Sequence, residues 1–132
     1  MDNVFIRTLK SKDHNRPPVW YMRQAGRILP SYNELRKQYS FRELMTTPEL
    51  AAKVTLLPVE DLGVDAAIIF SDILTIPTAM GMDIEWTDKG PVFHNPLVDA
   101  QNPHKCLSPN SDKLSFVYSA IELVKRQSDV PL

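Results

Sequence analysis

Hydrophobic positions along the chain follow two patterns, one typical of amphipathic helices and one typical of buried strands. Helical spacing of apolar residues occurs at positions 3–11, 31–39, 41–45, 48–62 and 112–127. Two shorter runs, Pro-Val-Trp-Tyr-Met at 18–22 and Ala-Ala-Ile-Ile-Phe at 66–70, are apolar without alternation. Such runs, bounded by proline, glycine or charged residues, predict strands that are covered on both faces.

Capping residues and helix breakers indicate where several of these helices begin and end. Ser31, with Glu34 three residues later, predicts a capped helix start. Thr47 followed by Pro48 predicts another start, because proline is favoured at the first helical position. Gly63 predicts the end of that helix.

Further signals shape the rest of the chain. Pro58 is expected to bend or shorten the last turns of its helix, and Ser111 is expected to cap the helix at 112–127. Residues 82–93 alternate between apolar and acidic positions and then contain a Gly-Pro-Val run, which predicts a β-hairpin. Residues 97–110 hold several prolines and asparagines and are expected to be irregular.

The succession of strand, helix and strand predicts an α/β fold with parallel strands. Periodicity alone leaves a (β/α)₈ barrel and a doubly wound sheet as alternatives. A barrel typically needs about 250 residues, whereas this chain has 132. We therefore expect residues 1–132 to be a single domain that supplies about two or three of the eight units of such a barrel, together with the hairpin.

Composition excludes several classes of protein. The 15 basic and 16 acidic side chains give a net charge of −1, so neither nucleic acid nor an anionic membrane is an expected partner. No apolar run is long enough to span a bilayer. Cys106 has no partner for an intrachain disulfide, and the three histidines and Cys106 show no metal-ligand spacing. A soluble protein of a reducing compartment, without a bound metal, is expected.

Two arginines follow the first predicted strand. Arg23 and Arg27 are separated by Gln24, Ala25 and Gly26, and the small Ala-Gly pair allows both guanidinium groups to turn towards one ligand. In parallel α/β folds ligands bind at the carboxyl ends of the strands. The pair is suited to bidentate binding of carboxylates. The alternative is that both are solvated residues at a helix start.

Asp72 follows the second predicted strand. Apolar Phe70 and Ile73 flank it, so its carboxylate is expected to be partly desolvated and to face hydrogen-bond donors or a cation. The alternative is that Asp72 caps the following turn. Trp86, in the predicted hairpin, is read as a core or dimer contact in preference to a platform for a substrate.

The residues around both loops resemble a known family. Positions 18–32 are similar to the amino-terminal signature of the uroporphyrinogen decarboxylase family and read Pro-Val-Trp-Tyr-Met-Arg-Gln-Ala-Gly-Arg-Ile-Leu-Pro-Ser-Tyr. Positions 69–74, Ile-Phe-Ser-Asp-Ile-Leu, resemble the family's Asp-bearing strand end. Positions 48–51 and the Gly-Pro-Val run at 90–92 also resemble the family. One departure is Ile28, where the family usually has an aromatic residue.

The resemblance implies a fold, a reaction and an assembly. The fold is a (β/α)₈ TIM barrel, and the complete enzyme is a cytoplasmic homodimer. The reaction is that of a carboxy-lyase of heme biosynthesis, which converts the four acetate side chains of uroporphyrinogen to methyl groups and gives coproporphyrinogen. No metal or organic cofactor takes part.

The resemblance also implies roles for individual residues. Asp72 would bind the pyrrole N–H groups and stabilise the cation that forms when a pyrrole carbon is protonated. Arg23 would hold the reacting acetate and is a candidate proton donor. Gln24 and Arg27, with Ala25 and Gly26 between them, would seat the other carboxylates or shape the pocket. The catalytic candidates are therefore Asp72 and Arg23, and the substrate-binding candidates are residues 23–27 and Asp72.

Two other functions are kept as alternatives. One is a corrinoid-dependent methyltransferase on the related barrel, which the arginine pair disfavours. The other is a non-catalytic fragment that binds carboxylates or serves in assembly. The later site residues of the family have no counterparts among residues 1–132, so activity is expected of the complete enzyme.

Overall fold

A computed structural model describes residues 3–12, 15–21, 25–87 and 89–132 of the chain. The elements of regular structure are helices α1 (Val4–Leu9), α2 (Pro30–Gln38), α3 (Phe41–Thr46), α4 (Pro48–Leu62) and α5 (Thr75–Ala79), strands β1 (Ile84–Thr87) and β2 (Gly90–Phe93), and helix α6 (Ser115–Gln127). Short 3₁₀ turns span Leu97–Asp99, Pro103–Lys105 and Ser111–Leu114. None of the described helices is both long and apolar enough to cross a membrane.

Helix α4 is the centre of the molecule because it is buried on two faces. Val54 and Leu57 pack with residues of α2 and α3 in one apolar cluster. Ala52 and Leu56 pack with Val124 of α6 in a second cluster. A helix that is apolar on several faces is stable only when neighbours cover each of them. The short helices on one side of α4 and α6 on the other provide that cover.

The predicted bounds of α4 are confirmed. The helix begins at Pro48 and ends at Leu62, where Gly63 takes the left-handed conformation with φ 64°. Glycine adopts this conformation without the steric cost that a side chain imposes. The expected shortening at Pro58 does not occur, since the helix continues for four residues beyond it. Pro58 itself is buried, so packing holds the last turn in place.

Two predicted caps are wrong. Helix α2 begins at Pro30 and has no side-chain cap, and the Ser31 hydroxyl instead donates to the Asp61 carboxylate of α4. Proline at the first position presets the backbone of that turn and has no N–H group to satisfy. Ser111 lies in a 3₁₀ turn, and α6 begins only at Ser115. A capping box does occur one helix further along, between Ser40 and Glu43 of α3.

The hairpin prediction is confirmed. Strands β1 and β2 pair antiparallel, with Ile84 opposite Phe93 and Thr87 opposite Gly90. The Thr87 hydroxyl donates to the Gly90 carbonyl at 2.7 Å, which closes the end of the ladder. Gly90 has φ 118°, a conformation that side chains rarely permit.

The two predicted parallel strands do not form a ladder within the described residues. Positions 18–21 and 66–70 are irregular, although single backbone bonds join this part of the chain to its neighbours. The Asp65 amide donates to the Val19 carbonyl at 2.9 Å, and the Ala67 amide donates to the Pro131 carbonyl at 2.8 Å. The segment therefore lies between two others, as a barrel strand does, and the parallel barrel stays a prediction.

Apolar side chains are exposed along the same segment. Ile68 is 53% exposed and Ile73 is 90% exposed, whereas Ile69 and Phe70 pack against the two clusters around α4. The inner face of the segment is thus covered and its other face is open.

The Asp65 carboxylate fixes the relative position of the first two predicted strands. It accepts two hydrogen bonds from the Arg16 guanidinium, at 2.6 and 2.7 Å, and one from the Val19 amide at 2.7 Å. The Asp65 side chain is buried, while that of Arg16 is half-exposed. Its hydrogen bond to Arg16, together with the bond from Val19 and the nearby charge, lowers the pKa of Asp65 despite the opposing effect of burial.

Replacement of Asp65 by asparagine is expected to destabilise the fold by about 1–2 kcal/mol at pH 7, because charge-assisted hydrogen bonds are lost. The lowered pKa of Asp65 means that its stabilising contribution is complete above the unfolded-state pKa of about 3.9 and is lost as the pH falls further. The difference in unfolding free energy between the wild type and Asp65→Asn should therefore shrink below about pH 4. Urea unfolding at several pH values measures it.

Asp129→Asn, at an exposed carboxylate near the carboxyl terminus, is the matched control and should change the unfolding free energy little. A difference between wild type and Asp65→Asn that stays constant from pH 7 to about pH 3 would show that the ionised Asp65–Arg16 pair does not stabilise the fold.

Candidate functional site

The arginine loop is described only in its second half. Arg23 and Gln24, both predicted site residues, lie outside the described residues, while Ala25, Gly26 and Arg27 lie within them. Ala25 packs against the first apolar cluster. The predicted convergence of Arg23 with Asp72 therefore stays a prediction.

The second half of the loop is held by its connection to α2. The Leu29 amide donates to the Gly26 carbonyl at 2.9 Å, and the Leu29 side chain is only 2% exposed. The Asn33 side-chain amide donates to the Arg27 carbonyl at 3.0 Å. The backbone at Arg27 is thus fixed from both sides, while its guanidinium group is exposed and accessible to a ligand.

Arg27 borders a cavity of about 760 Å³, here named the cationic cavity, between α2, α3 and the hairpin. Its basic lining residues are Arg27, Arg36, Lys37 and Arg42, and its aromatic lining residues are Tyr32, Tyr39, Phe41 and Trp86. Glu85 is the acidic residue of this lining, and it pairs with His94 at 3.1 Å. The excess of positive charge is typical of a site for a ligand with several acidic groups.

Two of these cations, Arg27 and Arg36, line the cavity together with Tyr32, which is buried. Burial raises the pKa of Tyr32, and the positive charges of Arg36 and Arg27 act in the opposite direction. Arg36 also donates to the Tyr39 carbonyl at 2.7 Å, which restrains its side chain at the end of α2. A restrained guanidinium group loses less conformational entropy when it binds a carboxylate.

Aromatic rings connect the cationic cavity with the segment that precedes Asp72. Ring centroids are separated by 5.9 Å for Tyr32 and Phe70, by 5.7 Å for Phe70 and Phe41, and by 5.8 Å for Phe41 and Trp86. These are favourable distances for tilted and edge-to-face pairs. Trp86 contacts Phe41 and also borders the cavity, so it combines the packing role that was predicted with a position at the site.

Asp72 itself holds the turn that follows it. Its carboxylate accepts a hydrogen bond from the Leu74 amide at 2.7 Å, and its carbonyl accepts one from the Thr75 amide at 3.0 Å. This is the turn-capping arrangement that was the alternative for Asp72. Its side chain is half-buried, as expected, but Asp72 is not among the residues that line the cationic cavity. The structure therefore brings Arg27 together with Arg36 and Arg42, and does not place Asp72 in the same cavity.

The position of Asp72 is nevertheless fixed through neighbouring residues. The Phe70 amide donates to the Thr55 hydroxyl of α4 at 2.8 Å. Ser71 and Thr75 share a hydroxyl–hydroxyl hydrogen bond of 3.1 Å. Phe70 touches the aromatic wall of the cavity two residues before Asp72. Hydrogen bonds thus hold the residues on both sides of Asp72, and Asp72 lies two positions after a residue that contacts the cavity wall.

Three of the cavity cations were not predicted from the sequence, namely Arg36, Lys37 and Arg42. They belong to short helices that were predicted, but none of them follows a predicted strand, where ligands of parallel α/β folds are expected. A signal did exist for Arg36, because Tyr32 and Arg36 are four residues apart and lie on one face of α2. Among the described residues, no group of three or more His, Cys, Asp or Glu side chains is arranged to hold a metal ion.

Comparison with known proteins identifies close relatives. The profile of the family described as Uroporphyrinogen decarboxylase (URO-D) matches residues 2–132. A uroporphyrinogen decarboxylase of Chloroherpeton thalassium is 48% identical over 99% of this chain and 38% of its own length. Those of Methylococcus capsulatus and Thermus thermophilus are 47% and 43% identical, over 96% and 100% of this chain. The chain thus spans less than two fifths of the length of these relatives.

The cationic cavity is expected to bind an aromatic polycarboxylate. Benzenehexacarboxylate is a suitable probe because it combines a planar ring with several negative charges. Arg36→Gln should weaken its binding about tenfold, since one charge-assisted contact is lost, and binding should weaken as salt concentration rises. Isothermal titration calorimetry of the chain measures both effects.

Lys53→Gln is the matched control, because Lys53 is an exposed cation of α4 that does not line the cavity. Equal losses of affinity in Arg36→Gln and Lys53→Gln would indicate general charge attraction and no defined site.

Proposed function

This chain belongs to the uroporphyrinogen decarboxylase family, and we propose that it forms the amino-terminal part of an enzyme that converts uroporphyrinogen to coproporphyrinogen. The reaction removes carbon dioxide from four acetate side chains and leaves methyl groups. Relatives with the name uroporphyrinogen decarboxylase match nearly the whole of this chain. Because the chain spans 38% of the length of such a relative, the activity is assigned to the complete protein.

The cationic cavity is the observation that carries the proposal. A tetrapyrrole with carboxylate side chains is large, flat and polyanionic, and the cavity of about 760 Å³ combines basic and aromatic residues. Guanidinium groups bind carboxylates through paired hydrogen bonds. Aromatic rings provide apolar surface that matches pyrrole rings. Arg27 therefore keeps the substrate-binding role that was expected, and Arg36 and Arg42 join it.

The proposed mechanism needs a cation to form in the substrate. A proton is added to the pyrrole carbon next to the one that bears the acetate, and the positive ring then accepts the electrons of the breaking carbon–carbon bond, which form an exocyclic double bond as carbon dioxide leaves. A second proton completes the methyl group, and the proton first added to the ring is lost. Each acetate carboxylate is thus replaced by one hydrogen. A fixed anion that is close to the ring favours the cation in the transition state.

Asp72 is proposed as that anion. Its carboxylate is half-buried and held by the Leu74 amide, so it does not need to reorganise as the ring becomes charged. One carboxylate oxygen accepts the hydrogen bond from the Leu74 amide. The carboxylate has further acceptor sites for pyrrole N–H groups. The capping and catalytic roles of Asp72 are therefore compatible.

Arg23 is proposed to hold the reacting acetate, with Gln24, Ala25, Gly26 and Arg27 completing the loop. An arginine is a weak acid at neutral pH, because its pKa exceeds about 12. Its role as proton donor is therefore less favoured than its role in positioning the carboxylate. No cofactor is included in the proposal, since a protonated pyrrole ring itself accepts the electron pair.

The proposed context of the enzyme is a (β/α)₈ barrel, a homodimer and the cytoplasm. The backbone bonds from Asp65 to Val19 and from Ala67 to Pro131 support the barrel, because they connect three segments side by side. The exposed Ile68 and Ile73 support a covering layer from the rest of the protein. The names of the relatives favour the decarboxylase over a corrinoid-dependent methyltransferase.

A chimera tests the proposal. Residues 1–132 would replace the matching segment of the Thermus thermophilus relative, which is 43% identical over the whole of this chain. The chimera is expected to release carbon dioxide from uroporphyrinogen, whereas the isolated chain is expected to release none. A folded chimera without activity would contradict the proposal, and activity of the isolated chain would contradict the need for the remaining segment.

Asp72→Asn in the chimera should lower kcat at least about 100-fold, because the anion that offsets the transition-state charge is removed. The asparagine carbonyl still accepts the hydrogen bond from Leu74, so the thermal unfolding temperature should change little. Asp83→Asn, at an exposed carboxylate before β1, is the control and should keep the parent rate. An Asp72→Asn chimera with the parent kcat would remove Asp72 from the mechanism.

A further inference from the structure

A second cavity, of about 280 Å³, lies between α3, α5, the hairpin and the start of α6, and is here named the small cavity. Met45 and Ala79 in its lining are buried, while Arg42 and Lys113 are exposed. Trp86 and Phe116 provide aromatic wall. The small cavity therefore combines a mostly apolar lining, which also includes Thr46, Thr75 and Thr78, with two exposed basic residues.

The chemistry of this lining selects one kind of ligand. Arg42 and Lys113 give two positive charges, and the residues that line the small cavity include no acidic side chain. The volume corresponds to about nine water molecules at roughly 30 Å³ each, which suits a molecule of one ring and excludes a tetrapyrrole. The mostly apolar lining favours a ring, and the two basic residues favour an attached carboxylate.

From this complementarity we propose that the small cavity binds a compact aryl carboxylate, with the ring between Met45, Trp86 and Phe116 and the carboxylate at Arg42 and Lys113. This site shares Arg42 and Trp86 with the proposed substrate site but differs from it in volume and charge. The cationic cavity is lined by four basic residues, has more than twice the volume and suits a polyanion, whereas the small cavity suits a monoanion.

The small cavity also borders both parts of the proposed active site. Arg42 and Trp86 line the cationic cavity as well. Thr75, another lining residue, accepts a hydrogen bond from the Asp72 amide at 3.4 Å and shares one with the Ser71 hydroxyl. A bound carboxylate would therefore compete for Arg42 with a ligand of the cationic cavity, and benzenehexacarboxylate should bind more weakly in its presence.

Calorimetric titration with three probes tests the proposed chemistry. Benzoate carries both the ring and the charge, benzamide keeps the ring without the charge, and acetate keeps the charge without the ring. Benzoate is expected to bind saturably with a dissociation constant of about 1 mM or below, and each of the other two at least about fivefold more weakly. Equal binding of benzoate and benzamide, or no saturable binding of benzoate, would overturn the proposal.

Variants locate the site. Lys113→Gln should weaken benzoate binding about fivefold to tenfold, and the matched change Lys105→Gln, at an exposed lysine outside the small cavity, should leave it unchanged. Amide NMR shifts on adding benzoate should concentrate at 75–79 and 113–116. Equal effects of the two lysine variants, or shifts confined to other residues, would assign benzoate to another place and refute this one.

The chimera with the Thermus thermophilus relative distinguishes a free ligand from a missing segment of the protein. Benzoate should bind the chimera as it binds the chain, because the proposed occupant is a small molecule. Binding of benzoate to the isolated chain but not to the chimera would show that the rest of the protein fills the small cavity, and the proposal would fail. Neither result depends on decarboxylation, so the proposed function is tested separately.

Discussion

The buried carboxylate of Asp65 is the constraint on which the arrangement of the site depends. It binds Arg16 and the Val19 amide, while the Asp65 amide donates to the Val19 carbonyl. The first two predicted strands are thereby held side by side at one register. The arginine loop and Asp72 both follow these segments, so a shift at Asp65 would displace one candidate group relative to the other.

Packing of the second of these segments on α4 then forms one wall of the cationic cavity. Phe70 packs into the cluster that α2, α3 and α4 share, and its amide is held by Thr55. Tyr32 and Phe41 contact the Phe70 ring and also line the cationic cavity. The wall of the cavity is therefore continuous with the apolar core. Charged groups are placed at its surface by helices whose other faces are buried.

Local signals predicted local structure well. Helix α4 and the hairpin were predicted because Pro48, Gly63 and the alternation at 82–86 act within a few residues. Ser31 failed as a cap because Pro30 sets the first turn of α2 by a different mechanism.

Features that depend on distant residues were predicted less completely. Parallel strands need neighbours far along the chain, and only isolated backbone bonds join the described segments. Arg27 and Asp72 were selected as site candidates because they follow apolar runs, and Arg27 lines the cationic cavity whereas Asp72 does not. Arg36, Lys37 and Arg42 were missed because the cavity exists only after α2, α3 and the hairpin meet. The local spacing on α2 indicates only that Arg36 shares a face with Tyr32. Asp72 is the opposite case, because its role is local. The sequence offered a turn cap as the alternative for Asp72, and its carboxylate does accept the hydrogen bond from the Leu74 amide.

The indole ring of Trp86 belongs to the lining of both cavities. A side chain that borders two cavities cannot move without changing the volume of both. A tilt of the hairpin towards α6 would enlarge the cationic cavity and would narrow the small cavity. The sizes of ligand that the two cavities accept are therefore inversely related. Substitutions at the hairpin tip are expected to alter both sizes at once.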